Sequence, residues 1–408
     1  MPVVFSNYSP AIPPPPPSGI EAGDIHVATT GNDTTGDGSI ELPYATLQKA
    51  HDVAVAGNLI YVRGGTYTLT STQTFTTDGN SGNRIRLFAY PGESPVIDGI
   101  NLTGTSRAII LNSAHWWHIK GFEVKNAAGT GINLQNASSN NIIENNNVHH
   151  NVRLAANGSG IEVGSSADPT AADNLILNND CHHQSYQLGG SGGDGIGVVY
   201  TKGTGNIVRG NRMWRNQDDG LDLWNSRYVL VEDNWAWENG YDDDLVPTSG
   251  NGNGFKLGGD DTTDGNHTIR RNLSWRNKQT GFDENEADLT MDVFNNTAYE
   301  NTGNGFQFNK AVAYVLRNNL CLNDAVNLNA AVDDTDNSWN TPPGVTVTSA
   351  DFLSTDFTAN TGSRQSDGSL PESDFLKLAS GSDCINAGTD VGLSYLGAAP
   401  DLGAYERE

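Results

Sequence analysis

Four aspartates and one lysine carry the chemistry most visible in this sequence. Asp194 and Asp219 each immediately precede a glycine, in Gly193-Asp194-Gly195 and in Asp218-Asp219-Gly220-Leu221-Asp222-Leu223-Trp224. If Gly195 and Gly220 hold equivalent places in neighbouring repeats, Asp194 and Asp219 stack about 4.8 Å apart. Asp218 and Asp222 then share the same patch. Such a cluster repels itself unless a cation neutralises it. An all-oxygen donor set of this kind suits Ca²⁺, and the lack of His or Cys in the group argues against zinc and copper. Each segment alone is ordinary turn chemistry; the coincidence in adjacent repeats is what points to a site. Lys256 falls in the column of Asp222 one repeat further on. Beside bare carboxylates its ammonium is an ion-pair partner, whereas beside a calcium ion the neutral amine is favoured and can act as a base.

These residues need a scaffold that stacks distant segments, and the sequence contains one. Seven segments share the spacing Asn, four residues, then Asn, Gln or Asp: Asn146–Asn151, Asn179–Gln184, Asn211–Asn216, Asn234–Asn239, Asn272–Asn277, Asn296–Asn301 and Asn319–Asp324. Their first members are 33, 32, 23, 38, 24 and 23 residues apart, which reads as a short coil with loops inserted in some copies. Three residues before each Asn stand Ile143, Ile176, Val208, Val231, Ile269, Val293 and Leu316; two residues after it stand Val148, Cys181, Met213, Ala236, Ser274, Ala298 and Cys321. Both columns point inward on this reading, which makes the cysteines small core residues. The Asn column is expected to form a hydrogen-bonded ladder at a turn, where Asn tolerates unusual backbone angles.

A further strand is marked by Gly, an apolar residue, any residue and usually another apolar one, as in Gly160-Ile-Glu-Val, Gly220-Leu-Asp-Leu and Gly254-Phe-Lys-Leu. Alternation sends the middle residue outward, giving the column Asn133, Glu162, Gly197, Asp222, Lys256, Asp283, Gln307. Coils too short to hold a helix stack as a solenoid of parallel strands. The expected fold is therefore all-β, a right-handed parallel β-helix. Residues 46–56 form a short N-terminal capping helix, and an irregular C-terminal cap closes the chain. Residues 1–23, with five prolines at 13–17, read as a tail or linker. Residues 24–408 read as one β-helix domain, with a repeat core at about 96–330 and the cap at 331–408.

Composition narrows the partners. The formal net charge is −25, from 23 basic and 48 acidic residues in 408. Such a surface repels nucleic acid and anionic membranes, and no apolar run reaches the length of a membrane span. It would also repel an acidic polysaccharide unless a bound cation reversed the field locally.

The Gly193–Gly195, Asp218–Trp224 and Asn251-Gly252-Asn253-Gly254-Phe255-Lys256-Leu257-Gly258-Gly259 segments resemble those of the family-nine pectate lyases, a group of right-handed β-helix polysaccharide lyases. The resemblance covers roughly residues 24–330 and continues more weakly beyond. It implies that Asp194, Asp218, Asp219 and Asp222 bind a catalytic calcium and that Lys256 removes the C5 proton of a uronate. Glu162, Asn253, Asp283 and Gln307 are the expected substrate contacts. A secreted, monomeric enzyme acting on polygalacturonate, or on rhamnogalacturonan, alginate or another uronate polymer, is the expected identity. Two other readings stay open: a glycoside hydrolase using Asp218, Asp219 and Asp222 as acid and base, and a calcium-stabilised carbohydrate-binding module without turnover.

Other polar groups read as incidental. The column His149, His182, Trp214, Trp237, Trp275, Tyr299, Leu322 faces outward, either stacking on sugars or, the preferred reading, packing under inserted loops. Its histidines lack metal-ligand spacing and read as structural. The loop Tyr241-Asp-Asp-Asp-Leu-Val-Pro is expected to wall the groove near Lys256, its acids solvated, as are Asp260, Asp261 and Asp264.

Overall fold

The computed structural model describes residues 24–155, 157–184, 192–259, 262–340 and 345–407. The proline-rich segment 1–23 lies outside the described residues, as do Asp260 and Asp261. The chain winds through three parallel sheets of twelve, ten and ten strands. One coil passes through Ile142–Glu144 in the first sheet, Asn147–His149 in the second and Ser159–Val163 in the third, then returns to the first at Leu175–Leu177. Strands begin at Ile25–Val27, well before the Asn spacing appears, and the last pairing in the first sheet reaches Asp333–Asp334.

The inward columns stack in register. Ile143, Ile176, Val208, Val231, Ile269, Val293 and Leu316 pair in sequence along the first sheet and are buried. Val148, Cys181, Met213, Ala236, Ser274 and Ala298 do the same in the second sheet, while Cys321 at the end is half-buried. In the third sheet Phe255, Phe282 and Phe306 stack ring on ring at 4.8 and 4.9 Å. Truncating one such side chain to Ala costs about 3–5 kcal/mol, because the neighbouring coils hold the cavity open.

The corner between the first and second sheets is held by side-chain amides. Asn146 donates to Asn179, and the chain of bonds continues through Asn211, Asn234, Asn272, Asn296 and Asn319 to Asn337, each at 2.9–3.1 Å. A second ladder runs Asn216, Asn239, Asn277, Asn301 and ends on Asp324. The expected unusual backbone angle falls one residue earlier than the ladder itself. Asn145, Asn178, Gly210, Asp233, Arg271, Asn295 and Asn318 all have φ between 52° and 69°. The left-handed residue turns the chain, and the next Asn is thereby aimed inward at its neighbours.

The helix spans Leu47–Val53, shorter than residues 46–56, with Thr46 accepting from the Lys49 amide at its N-terminus. Leu47 and Ala50 join the core. The irregular C-terminal segment covers the side of the solenoid: Phe352, Phe375, Leu376 and Leu378 pack on Trp235, Trp237, Trp275 and Tyr299 of the second sheet. The aromatic column is therefore covered, but by this segment rather than by inserted loops. Arg364 reaches back to Asp180 at 2.9 Å and ties the cover down.

Candidate active site

The third sheet presents the expected outward column in unbroken register: Asn133, Glu162, Gly197, Asp222, Lys256, Asp283 and Gln307 are each paired with the next. Glycine makes the stacking possible. A Cβ on Gly195 would lie 2.6 Å from the Gly220 carbonyl, and one on Gly220 would lie 2.5 Å from the Gly254 carbonyl. The acids beside these glycines are consequently brought as close as backbones can approach.

Each acid is held by a peptide N–H. Asp194 accepts from the Asp219 amide at 3.1 Å, Asp219 from the Asn253 amide at 2.7 Å, and Asp218 from the Asn251 amide. Asp222 accepts from the Lys256 amine at 3.1 Å, and the same amine lies 3.5 Å from Asp219 Oδ2. Trp224 lies beneath the amine, its ring centroid 4.9 Å away. All of these acids are buried, and Lys256 is only 6% exposed.

This is a charge-deficient site. Burial, then the neighbouring acids, push the Asp194 and Asp219 carboxyls well above the usual carboxylate range, and burial pushes Asp222 upward as well. Burial disfavours the Lys256 ammonium, but Asp222, Asp219, Asp194 and Asp218 together outweigh it and hold its pKa above that of a free lysine. Asp219 Oδ2 and Asp222 Oδ1 are buried without a hydrogen-bond donor. Asp194, Asp219 and Asp222 each offer an oxygen within 4.8 Å of the others. A divalent cation binding through oxygen fits this set, since it would satisfy both orphan oxygens and offset the charge. Asp218 lies outside that compact triad and acts on it through its charge.

The expected substrate contacts divide. Glu162 accepts from Asn133 at 2.9 Å, and Asp283 accepts from Gln307 at 3.2 Å, so these pairs extend the polar column on either side of the acids. Asn253 also has a positional role: its side-chain oxygen accepts from the Thr280 amide and its backbone N–H holds Asp219. Asp264 is not solvated, as expected from its loop, but fully buried, accepting from the Gly259 and Asp288 amides and bracing the turn after Lys256. Asp242, Asp243 and Asp244 are exposed. The end of that loop does reach the site, through Asn251 on Asp218, while Asp243 pairs with His183 on another face. Two contributors were not singled out from sequence. Trp224 sits in a quoted segment but its place under Lys256 depends on the turn after Asp222. Arg107, whose charge opposes the burial-driven rise of Glu162, carries no spacing signal at all.

The family model described as Pel9A-like, right-handed beta helix region, matches residues 25–320. Pectate lyase L of Dickeya dadantii is 35% identical over 417 residues, spanning 96% of this chain and 92% of that one. Pectate lyase PEL9 of Emericella nidulans is 34% identical over 90% of this chain and 95% of its own. The crystal structure of pectate lyase Pel9A superposes with a TM-score of 0.83 at 33% identity, covering 94% of this chain and 97% of that one. A rhamnogalacturonan lyase at 23% identity and TM-score 0.75 shares the fold.

Proposed function

The chain belongs to the family-nine pectate lyases and is a right-handed parallel β-helix polysaccharide lyase; from that premise we propose that it cleaves a uronate polymer, polygalacturonate first, by calcium-dependent β-elimination with Lys256 as the base. The observation that carries this reading is the Lys256 amine lying 3.1 Å from Asp222, next to two buried carboxylate oxygens that lack donors.

Asp194, Asp219 and Asp222, with Asp218 beside them, would hold Ca²⁺, which when bound supplies positive charge that draws in the substrate carboxylate and offsets charge developing at C5. The C5 proton of a uronate is weakly acidic because it lies next to that carboxylate. Lys256 takes this proton, the C5–H electron pair forms the C4=C5 double bond, and the C4–O pair leaves with the oxygen of the preceding sugar, which takes up a proton from solvent. Asp222 and Trp224 confine the amine to one position over the sheet, so its reach is set before substrate arrives. Lys256 at rest is the counter-ion of Asp222 and Asp219, so it becomes a base only when those carboxylates are otherwise engaged. An alkaline optimum follows. Glu162, Asp283 and Gln307 would contact flanking sugars along the polar column. A polymer too large to enter a cell implies a secreted enzyme, and we take it to act as a monomer.

A panel of uronate polysaccharides, followed by the ultraviolet absorbance of the unsaturated product with and without chelator, tests the proposal. Chelator-sensitive absorbance on at least one uronate polymer is expected. Chain cleavage without absorbance would favour the hydrolase reading, and a calcium-dependent melting temperature without any turnover would favour the binding module.

A further inference from the structure

We propose that Arg107 forms a distal subsite of the same groove, a fixed cation that takes the carboxylate of a uronate several sugars from the cleavage point. The inference rests on the lyase reading above. Arg107 stands just before the strand Ile109–Asn112 of the third sheet. Ile109 pairs with Ile132 and Ile132 with Ile161, while Ser159 pairs with Asp194 and Ile196 with Leu221. Counting back along these strands gives one column: Arg107, Thr130, Ser159, Asp194, Asp219. The backbone at Arg107 is pinned to the next coil on both sides, since the Gly129 amide donates to the Ser106 carbonyl at 2.8 Å and the Ala108 amide to the Thr130 carbonyl at 3.2 Å.

Arg107 is half-buried, and among the described residues its guanidinium makes no ion pair and no hydrogen bond. Its charge still reaches the outward column. There it is the largest influence favouring the Glu162 carboxylate against burial, ahead of the hydrogen bonds from Thr130 and Asn133. Glu162 does not consume the guanidinium: its Oε1 accepts from Asn133 at 2.9 Å and its Oε2 from Thr130 at 3.4 Å. The other cations on this side of the solenoid are engaged, Lys256 by Asp222 at 3.1 Å and Lys310 by Asp288 at 2.8 Å. A guanidinium presents a planar fork of N–H donors that matches a carboxylate with two parallel hydrogen bonds. Here that fork is left open.

Arg107 lies three coils from Asp194, about 14 Å, and five coils from Lys256, about 24 Å. A linked pyranose is about as long as one coil spacing, so a polymer lying along the sheet presents about one carboxylate per coil. On a chain of net charge −25, a polyanion is held only where cations are placed to meet it. With calcium on the aspartates, Arg107 gives the polymer a second point of attachment toward the N-terminal end of the groove.

Calcium-saturated full-length protein and its Arg107→Gln and Arg107→Lys variants, compared on polygalacturonate and on trigalacturonate, test the subsite. The trisaccharide at Lys256 is too short to reach Arg107, whereas the polymer spans both. In Arg107→Gln the ratio of kcat/KM on polymer to that on trisaccharide is expected to fall by about threefold to tenfold, through KM and not kcat. Arg107→Lys is expected to fall between, since it keeps the charge but not the fork. Retardation of the folded protein in polygalacturonate gels reads the same contact without turnover, and Arg107→Gln is expected to be retarded less than the parent. The inference is overturned if polymer and trisaccharide lose equally, which would make Arg107 only a support for Glu162, or if Arg107→Gln is retarded as strongly as the parent. A parent that never cleaves, yet is retarded more than Arg107→Gln, would keep the subsite and sink the lyase reading alone.

Discussion

Glu232 and Asp222 are both buried carboxylates on outer faces of the solenoid, ten residues apart, and their surroundings treat them in opposite ways. Glu232, on the first sheet, is gripped by Arg209, by Arg270 at 2.6 Å and by Arg271 at 3.5 Å. Burial works against its charge, but the arginines win and hold its pKa below the usual range. Asp222, on the third sheet, shares one lysine with three other acids, and its pKa is raised. Three cations serve one acid on the first face; four acids share one cation on the third. A fold that matches charges so fully on one side leaves a deficit on the other for a ligand to fill.

The largest expected effect separates the two lysine and glutamate roles. Lys256→Ala should lower kcat on polygalacturonate by about 10²–10⁴-fold, and in chelator it should melt below the parent because four buried acids lose their shared cation. Glu232→Gln should leave kcat within about twofold and cost about 2–3 kcal/mol in denaturant unfolding, reduced from the usual buried-pair value because its arginines are partly exposed. Turnover lost in Glu232→Gln at unchanged stability would break the comparison.

Asp219→Asn should abolish the calcium-dependent rise in melting temperature and reduce turnover at least about 100-fold, a loss on the scale of removing a charge-stabilising group. In chelator, however, it should melt no lower than the parent, because it relieves like-charge repulsion. A variant less stable than the parent in chelator would show that the deficit is smaller than inferred.

The two faces also predict opposite pH slopes. For the raised acids, the native state keeps protons that the unfolded chain releases, so in chelator stability falls as pH rises above about 4. Asp219→Asn should flatten that fall. For Glu232, lowered below 4.5, stability is lost as pH drops below that value. His267, buried with its Nδ1 accepting from the Val229 amide, has a pKa of about 3, so it too removes stability as pH falls from 6.5 toward 3. Thermal melts across pH in chelator measure both limbs. The smallest effect is expected from Trp224→Leu, which loosens the amine and should cost kcat less than about tenfold, the scale of one cation–π contact.

Much of this was legible because the coil repeats. The inward columns, the amide ladders and the outward column each recur seven times, so spacing alone identifies them. Asp194, Asp219, Asp222 and Lys256 could be aligned from their glycines, which are needed where coil backbones nearly touch. The failures are cases where contact crosses coils in ways spacing does not encode. The Asn253 backbone N–H holds Asp219 from the next coil, a role that its side-chain type does not signal. Asp264 reads as a loop acid until the Gly259 and Asp288 amides, from loops of successive coils, are found on it. His149 and His182, 33 residues apart, meet only because the coils stack. The coils from Ile25 to about residue 95 lack the Asn spacing and so fall outside the repeat core read from the sequence.

The amide ladders have a polarity. Every link donates from the N-terminal coil to the C-terminal one, so the dipoles all point the same way along the solenoid axis. Removing an interior rung such as Asn179 therefore strands two donors, the peptide N–H and one side-chain N–H of Asn146, whereas removing the first rung strands one, the Phe122 peptide N–H. The second ladder ends on Asp324, whose Oδ2 accepts from Asn301 while its Oδ1 is buried without a donor, so this relay stops on an unsatisfied acceptor. Growth or trimming of such a molecule by whole turns is accordingly least costly at its tips.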